Sequence, residues 1–214
     1  MLTVYPAAAM IHTQAHAAPE NRLGATGDRG EHGGVSVISF RPLTQDDLPL
    51  LARWQARPHV ARWWREDAGL AAVTARYLPC LDGRDPTELF VIQVDGSAAG
   101  FIQRYLVGDD PGGWAGVLRA TGTPGVDGAF GIDYLIGDPG LTGRGIGSTA
   151  IAGFTRLAFE RYPGASSALV AVSQDNTASW RALEKAGFGR CWAGELASGD
   201  SSDEGPMYLY RRTR

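Results

Sequence analysis

The 214-residue sequence predicts an α+β domain of layered type, with elements in the order β-α-α-α-β-β-β-α-β-α-β-β. Three observations carry that class. Apolar residues begin to alternate at Val35, two further alternating runs are joined by Asp95-Gly96, and a glycine-rich turn links a strand ending at Gly137 to an amphipathic helix. The order is neither the strict alternation of a doubly wound sheet nor two separate halves.

Residues 1–34 are rich in Ala, Gly, His and Pro and show no sustained period, which predicts a flexible leader ahead of one domain spanning 35–214. In "VSVISFRPL", Val35, Val37 and Ser39 share one face of a strand while Ser36, Ile38 and Phe40 share the other. Thr44 is placed to cap the first helix, with Asp47 as its capping-box partner and Leu48, Leu51 and Trp54 on the apolar stripe. A short second helix starts at Pro58, and a third covers "AGLAAVTARYLPCL" and stops near Pro79. "ELFVIQVDG" and "AAGFIQRYLVG" form a hairpin, because Asp-Gly suits a tight turn. Residues 108–128 read as a long glycine-rich loop, a length that in a compact domain points to function or motion. Then follow strand "AFGIDYLIG", turn "DPGLTGRG" and a helix with Ile151, Phe154, Leu157, Ala158 and Tyr162 on one stripe. Strand "SALVAVS", a helix ended by Gly187, and strands "FGRCWAGEL" and "PMYLYRR" complete the chain.

Composition excludes several classes. With 44% hydrophobic and 20% charged residues the chain can bury a sizeable core. No apolar run approaches the roughly 18 to 20 residues of a membrane span, and the N-terminus lacks the basic and apolar regions of a secretion signal. Cys80 and Cys191 stand far apart, so neither a disulfide framework nor a metal site is expected, only reduced, buried thiols in a cytoplasm. A net charge of -3 argues against nucleic acid and suits a small cationic substrate.

The glycines of "GRGIGS" offer amides at a helix N-terminus, an anion site able to cradle a pyrophosphate. A dinucleotide fingerprint wants G-x-G-x-x-G in the first strand-turn-helix unit; here Gly143, Gly145 and Gly147 form G-x-G-x-G after a whole antiparallel meander. A nucleoside triphosphate loop wants GK[ST], and no lysine occurs between residues 131 and 184.

"TGRGIG" resembles the Q/R-x-x-G-x-G/A motif of the GCN5-related N-acetyltransferases (GNAT), and "NTASWRALEKAGF" resembles their later N-x-x-A-x-x-x-Y-x-K-x-G-F motif. The likeness covers residues 36–213. "FRPLTQDDLPLLARWQARPHVARWW", "GFIQRY", "GID" and "ALEKAGF" are similar to the aminoglycoside 6′-N-acetyltransferases, with siderophore lysine acyltransferases and ribosomal-protein acetyltransferases as cousins. The resemblance implies a mixed, mostly antiparallel sheet of six to seven strands flanked by helices, splayed after the fourth. Acetyl-CoA would lie in the splay as acetyl donor, pairing with backbone at Tyr134, Leu135 and Ile136. The amides of Arg144, Gly145, Ile146, Gly147 and Ser148 would take the pyrophosphate, and Asn176 the cofactor arm. Thr142 stands where the family carries Arg or Gln, Leu183 where many members carry a tyrosine proposed as acid for the thiolate, and Ala171 at a place resembling an aspartate of the aminoglycoside enzymes.

Alternation puts Asp133 on one face of its strand with Gly131, Leu135 and Gly137, the one carboxylate in an apolar run. A carboxylate at its reference pKa of roughly 3.9 is a poor base toward an ammonium. Asp133, as the catalytic candidate, is therefore expected to be raised by burial or to bind and position the cation. Trp54 belongs to the core, while Trp63 and Trp64, adjacent on a helix, cannot both face inward. The resemblance sets Trp63, Trp64, Gln103, Tyr105, Asp109, Asp110, Asp133 and Asp203 around the acceptor, with Asp200 and Glu204 near by. These features imply N-acetylation of an aminoglycoside-like or other small cationic amine by a monomer or homodimer. The alternatives are siderophore-type or ribosomal-protein acylation, or a non-catalytic acetyl-CoA-binding module.

Overall fold

A computed structural model of the chain describes residues 21–23, 36–109 and 113–214. The expectation of a leader over residues 1–34 falls mostly outside the described residues; within it, β1 (Asn21–Leu23) pairs antiparallel with β2 (Ile38–Pro42). Ile38 and Phe40 of β2 point into the core, as the alternation requires. The Thr44–Asp47 capping box closes a 3-10 turn that runs into α1 (Leu48–Gln55), whose Leu48, Leu51 and Trp54 are buried. α2 (Pro58–Trp64) ends at Arg65 in the left-handed region, and α3 (Leu70–Leu81) continues two residues past Pro79.

β3 (Glu88–Val94) and β4 (Ser97–Leu106) form the hairpin, with positive φ at both Asp95 and Gly96. The expected loop 108–128 is a correction: it contains α4 (Trp114–Ala120). Its glycines obscured Trp114, Ala115 and Leu118, whose spacing is helical and of which the last two are buried. β5 (Ala129–Ile136), α5 (Ile146–Arg161), β6 (Ser167–Ser173), α6 (Thr177–Lys185), β7 (Gly189–Glu195) and β8 (Pro206–Thr213) follow. Gly187, at φ 86°, ends α6 in a Schellman motif: its amide donates to Glu184 O and that of Phe188 to Leu183 O.

One sheet of order β1-β2-β3-β4-β5-β6-β8-β7 results, antiparallel throughout except for β5 and β6. That parallel pair is short, holding only Ala129 to Gly131 against Ser167 to Leu169. From Ile132 onward β5 pairs only with β4, so the sheet splays after the fourth strand of the main domain. Cys191 corrects the expectation of buried thiols: a register shift between Arg190 and Trp192 on edge strand β7 leaves it exposed, while Cys80 is half-buried.

The two faces of the sheet are covered differently. On one, α5 and α6 share a continuous core that includes Ile132, Phe154, Val170, Leu183 and Tyr210. On the other, two separate cores form: α1 to α3 over Val91, Phe101 and Leu135, and α4 over Ala129, Leu169 and Leu209. Along β5 this face reads Ala129, Gly131, Asp133, Leu135. Its ends belong to the two cores, and Gly131 and Asp133 fall in the gap between them.

Candidate active site

A cleft of about 910 Å³ opens over that gap. Residues from both faces of β5 and β6 line it (Ile132, Asp133 and Tyr134; Val170, Ala171 and Val172), so it passes through the sheet at the splay. On the face of Asp133, direct cross-strand pairing aligns Gln103 with Asp133 and Tyr105 with Gly131. Gln103 Nε2 donates to Asp133 Oδ2 at 2.8 Å, which turns one carboxylate oxygen toward β4. The Tyr105 ring lies over Gly131, where an added Cβ would meet Tyr105 Cζ at 2.4 Å, so only glycine admits the ring at that position.

Trp63 and Trp64 both reach the cleft despite adjacency, because Trp64 packs partly against Phe101 and α2 ends at Arg65. Arg65 also joins α2 to the β7–β8 loop: its Nη1 donates to Ser201 O and Glu204 O, and Ser201 Oγ donates back to Arg65 O. That loop brings Asp200 and Asp203 to the cleft wall. Burial raises the Asp203 carboxyl above the ordinary aspartate value, with Asp200 adding to the rise and a hydrogen bond from Ser198 Oγ at 2.7 Å opposing it. Glu204 is exposed and outside the lining.

Not every expected residue converges. Asp109 is exposed on the 3-10 turn after β4 and does not line the cleft; its charge acts on Tyr162 at the opposite side of the sheet. Asp110 lies outside the described residues. The Leu135 side chain is buried in the core beneath α1 to α3, which leaves the backbone, the part expected to meet the cofactor, and Ile136 O accepts from His59 Nε2 at 2.9 Å.

Glu66 and Arg76, on separate segments with no local motif, were not legible as site residues. They form a largely buried ion pair in the cleft wall, Arg76 Nη1 to Glu66 Oε2 at 2.7 Å, close in distance but not aligned as a hydrogen bond. Burial lifts the Glu66 carboxyl to about 7; Arg76 opposes the rise, while Asp200 and Asp133 reinforce it. Asp85 also lines the wall, which makes five carboxylates (Glu66, Asp85, Asp133, Asp200 and Asp203) against one guanidinium. That balance favours a cation in the cleft and disfavours an anion.

The turn ahead of α5, expected to take the pyrophosphate, lies outside the cleft lining and presents backbone. Gly145, at φ 81°, caps α5, and the first amides of the helix have no intrahelical acceptor. Ser148 Oγ donates to Gly145 O and Ile146 is buried, so this turn presents amides rather than side chains. Arg144 beside them is exposed. Asn176 caps α6 by accepting from the Ser179 amide at 3.2 Å while also lining the cleft. A free strand edge leading from the splay toward an anion-binding helix N-terminus fits a pantetheine arm ending in a pyrophosphate. Leu183 is fully buried in the core beneath α5 and α6. Among the described residues no helix is long and apolar enough to cross a membrane.

Known proteins place these features in a family. Residues 44–196 match the model of the acetyltransferase (GNAT) domain. Aminoglycoside N(6′)-acetyltransferase type 1 of Klebsiella pneumoniae is 29% identical over 156 residues, which cover 72% of this chain and 74% of that protein. The same enzyme of Serratia marcescens gives the same values, 29% over 156 residues with coverage of 72% and 74%. Aminoglycoside acetyltransferase AAC(6′)-Ib in complex with coenzyme A superposes with a TM-score of 0.69 at 27% identity, covering 83% of this chain and 95% of that one. Its complex with coenzyme A and kanamycin gives 0.69 at 26%, covering 83% and 95%. With a matching family model over most of its length and the splayed sheet in place, the chain belongs to the GNAT acetyltransferases.

Proposed function

We propose that this chain transfers the acetyl group of acetyl-CoA to a primary amine of an aminoglycoside-like polycation. The observation that carries this reading is the place of Asp133: a carboxylate in the gap between two cores, oriented by Gln103, in a cleft walled by four further carboxylates. The relatives whose names and complexes include aminoglycosides support the same acceptor class.

Acetyl-CoA is a substrate here and supplies an activated thioester. An acceptor ammonium enters between Trp63, Trp64 and the β7–β8 loop, drawn by the negative wall. Asp133 binds the reacting nitrogen and fixes its direction, and the proton lost on attack leaves by that carboxylate. Further amino groups of a polycation find Asp200, Asp203 and Glu66 along the wall.

Incubation of the full chain with acetyl-CoA and a panel of aminoglycosides, linear polyamines and peptides tests the reading. Thiol release accompanied by a singly acetylated aminoglycoside is the expected outcome. Thiol release without an acetylated aminoglycoside, or no calorimetric affinity for acetyl-CoA, overturns it.

A further inference from the structure

Two acyl-transfer charges need partners: the ammonium that must shed a proton before its nitrogen attacks, and the sulfur that departs. Asp133 meets the first from one face of β5. Its neighbour Tyr134 points to the opposite face by strand alternation, and both residues line the cleft that passes through the sheet. Tyr134 Oη lies 2.7 Å from Ser179 Oγ on the first turn of α6, and Ser179 also lines the cleft. The Ser179 amide is already held by Asn176 Oδ1, which fixes this hydroxyl on its turn. One turn further along α6 stands Leu183, fully buried and without a hydroxyl. The hydroxyl pair at the splay is therefore contributed jointly by strand and helix, on the face of β5 away from Asp133.

We propose that the Tyr134 hydroxyl, oriented by Ser179, donates the hydrogen bond that stabilises the departing coenzyme A thiolate. This rests on the reading of the cleft as an acetyl-CoA site. The acceptor ammonium first gives one proton to Asp133, which passes it to water; the neutral nitrogen then adds to the thioester carbonyl, and as the C–S bond breaks its electron pair goes to sulfur. The surplus proton on nitrogen leaves on the Asp133 side, and the thiolate takes a proton from water as the product is released. Tyr134 keeps its own proton, since burial holds its hydroxyl above the ordinary phenol value. A thiolate whose conjugate acid lies at about 8.5 is too weak a base to remove it. With Ser179 donating to Tyr134 Oη, the phenol O–H is left for sulfur, and the two bonds reinforce each other.

Two substitutions test this in the binary complex of the full chain with coenzyme A. The bound thiol is titrated by the ultraviolet absorbance of its thiolate, and desulfo-coenzyme A affinity is measured alongside by calorimetry. In Tyr134→Phe the thiolate fraction at a fixed pH below the thiol pKa falls by about tenfold, as expected for loss of a hydrogen bond to a charged group. Desulfo-coenzyme A binding stays unchanged, and kcat falls by a similar factor with the acceptor KM constant. Ser179→Ala shifts the titration in the same direction by a smaller factor, and it decides the matter if the Phe variant does not fold. A thiol titration identical to the parent's in the folded variants overturns the proposal while leaving the acetyl-CoA site intact. Absence of coenzyme A binding to the parent overturns the acetyl-CoA reading itself, and with it this one.

Discussion

The two faces of the sheet solve different problems with the same strands. Under α5 and α6 the core is continuous, from Phe40 and Phe154 through Leu183 to Tyr210, and the features proposed for the donor at its margin are mostly backbone: a strand edge and helix amides. On the other face the core is broken in two, and the break is the cleft proposed to take the acceptor. A continuous core fixes backbone positions, which suits a donor common to a whole family. A broken core leaves space bounded by side chains from α2, α3, α4 and the β7–β8 loop, each replaceable without disturbing the sheet.

Substitutions chosen from each face sharpen that contrast. Asp133→Asn gives the largest effect expected: kcat/KM falls by at least about 100-fold, the usual scale for a lost proton acceptor, with acetyl-CoA affinity unchanged. Steady-state kinetics beside calorimetry checks both halves. An equal loss of acetyl-CoA affinity would merge the two faces into one site.

Gly145→Val is the counterpart on the donor side. Gly145 holds φ 81°, where a β-branched residue is strained by roughly 1–2 kcal/mol. An added Cβ meets no protein atom within 4 Å, so it projects into space available to a ligand. The Kd for acetyl-CoA is expected to rise about tenfold while the acceptor KM stays put, as calorimetry and kinetics would read.

The same contrast decides what was legible in the sequence. The features proposed for the donor leave local marks: Gly145 ahead of a helix, Asn176 at an N-cap, the run 129–136 with one acid. The pairing of Gln103 with Asp133 was within reach too, because the Asp95-Gly96 turn fixes the β3–β4 hairpin and β4 leads to β5. Acceptor features converge from segments far apart. Glu66 and Arg76 sit ten positions apart on two segments that meet only after folding, and Asp200 arrives from the other end of the chain. The helix α4 was hidden by Gly113 and Gly116, and Asp109, placed by analogy of loops, lies exposed on the 3-10 turn after β4, outside the cleft lining.

Glu66 offers the finest probe of the acceptor face, because its effect depends on pH. Burial lifts its carboxyl to about 7, with Arg76 pulling down and Asp133 and Asp200 pushing up, while Tyr77 beside the pair stays a neutral phenol. A raised carboxyl is mostly neutral at pH 6 and mostly charged at pH 8. Only the charged form attracts a second ammonium of the acceptor. Replacing it by Glu66→Gln therefore raises the acceptor KM at pH 8 by a few-fold, the scale of one half-exposed ion pair at about 0.5–1 kcal/mol. At pH 6 the variant and the parent have nearly the same KM. Taking the ratio of the two proteins at each pH cancels the titration of the acceptor, so the ratio should climb with a midpoint near the Glu66 value. A monoamine acceptor, which has no second ammonium to place, gives a flat ratio. A flat ratio for the polycation as well would confine recognition to Asp133 and the β7–β8 loop, and would leave the Glu66–Arg76 pair as a prop between α3 and the end of α2.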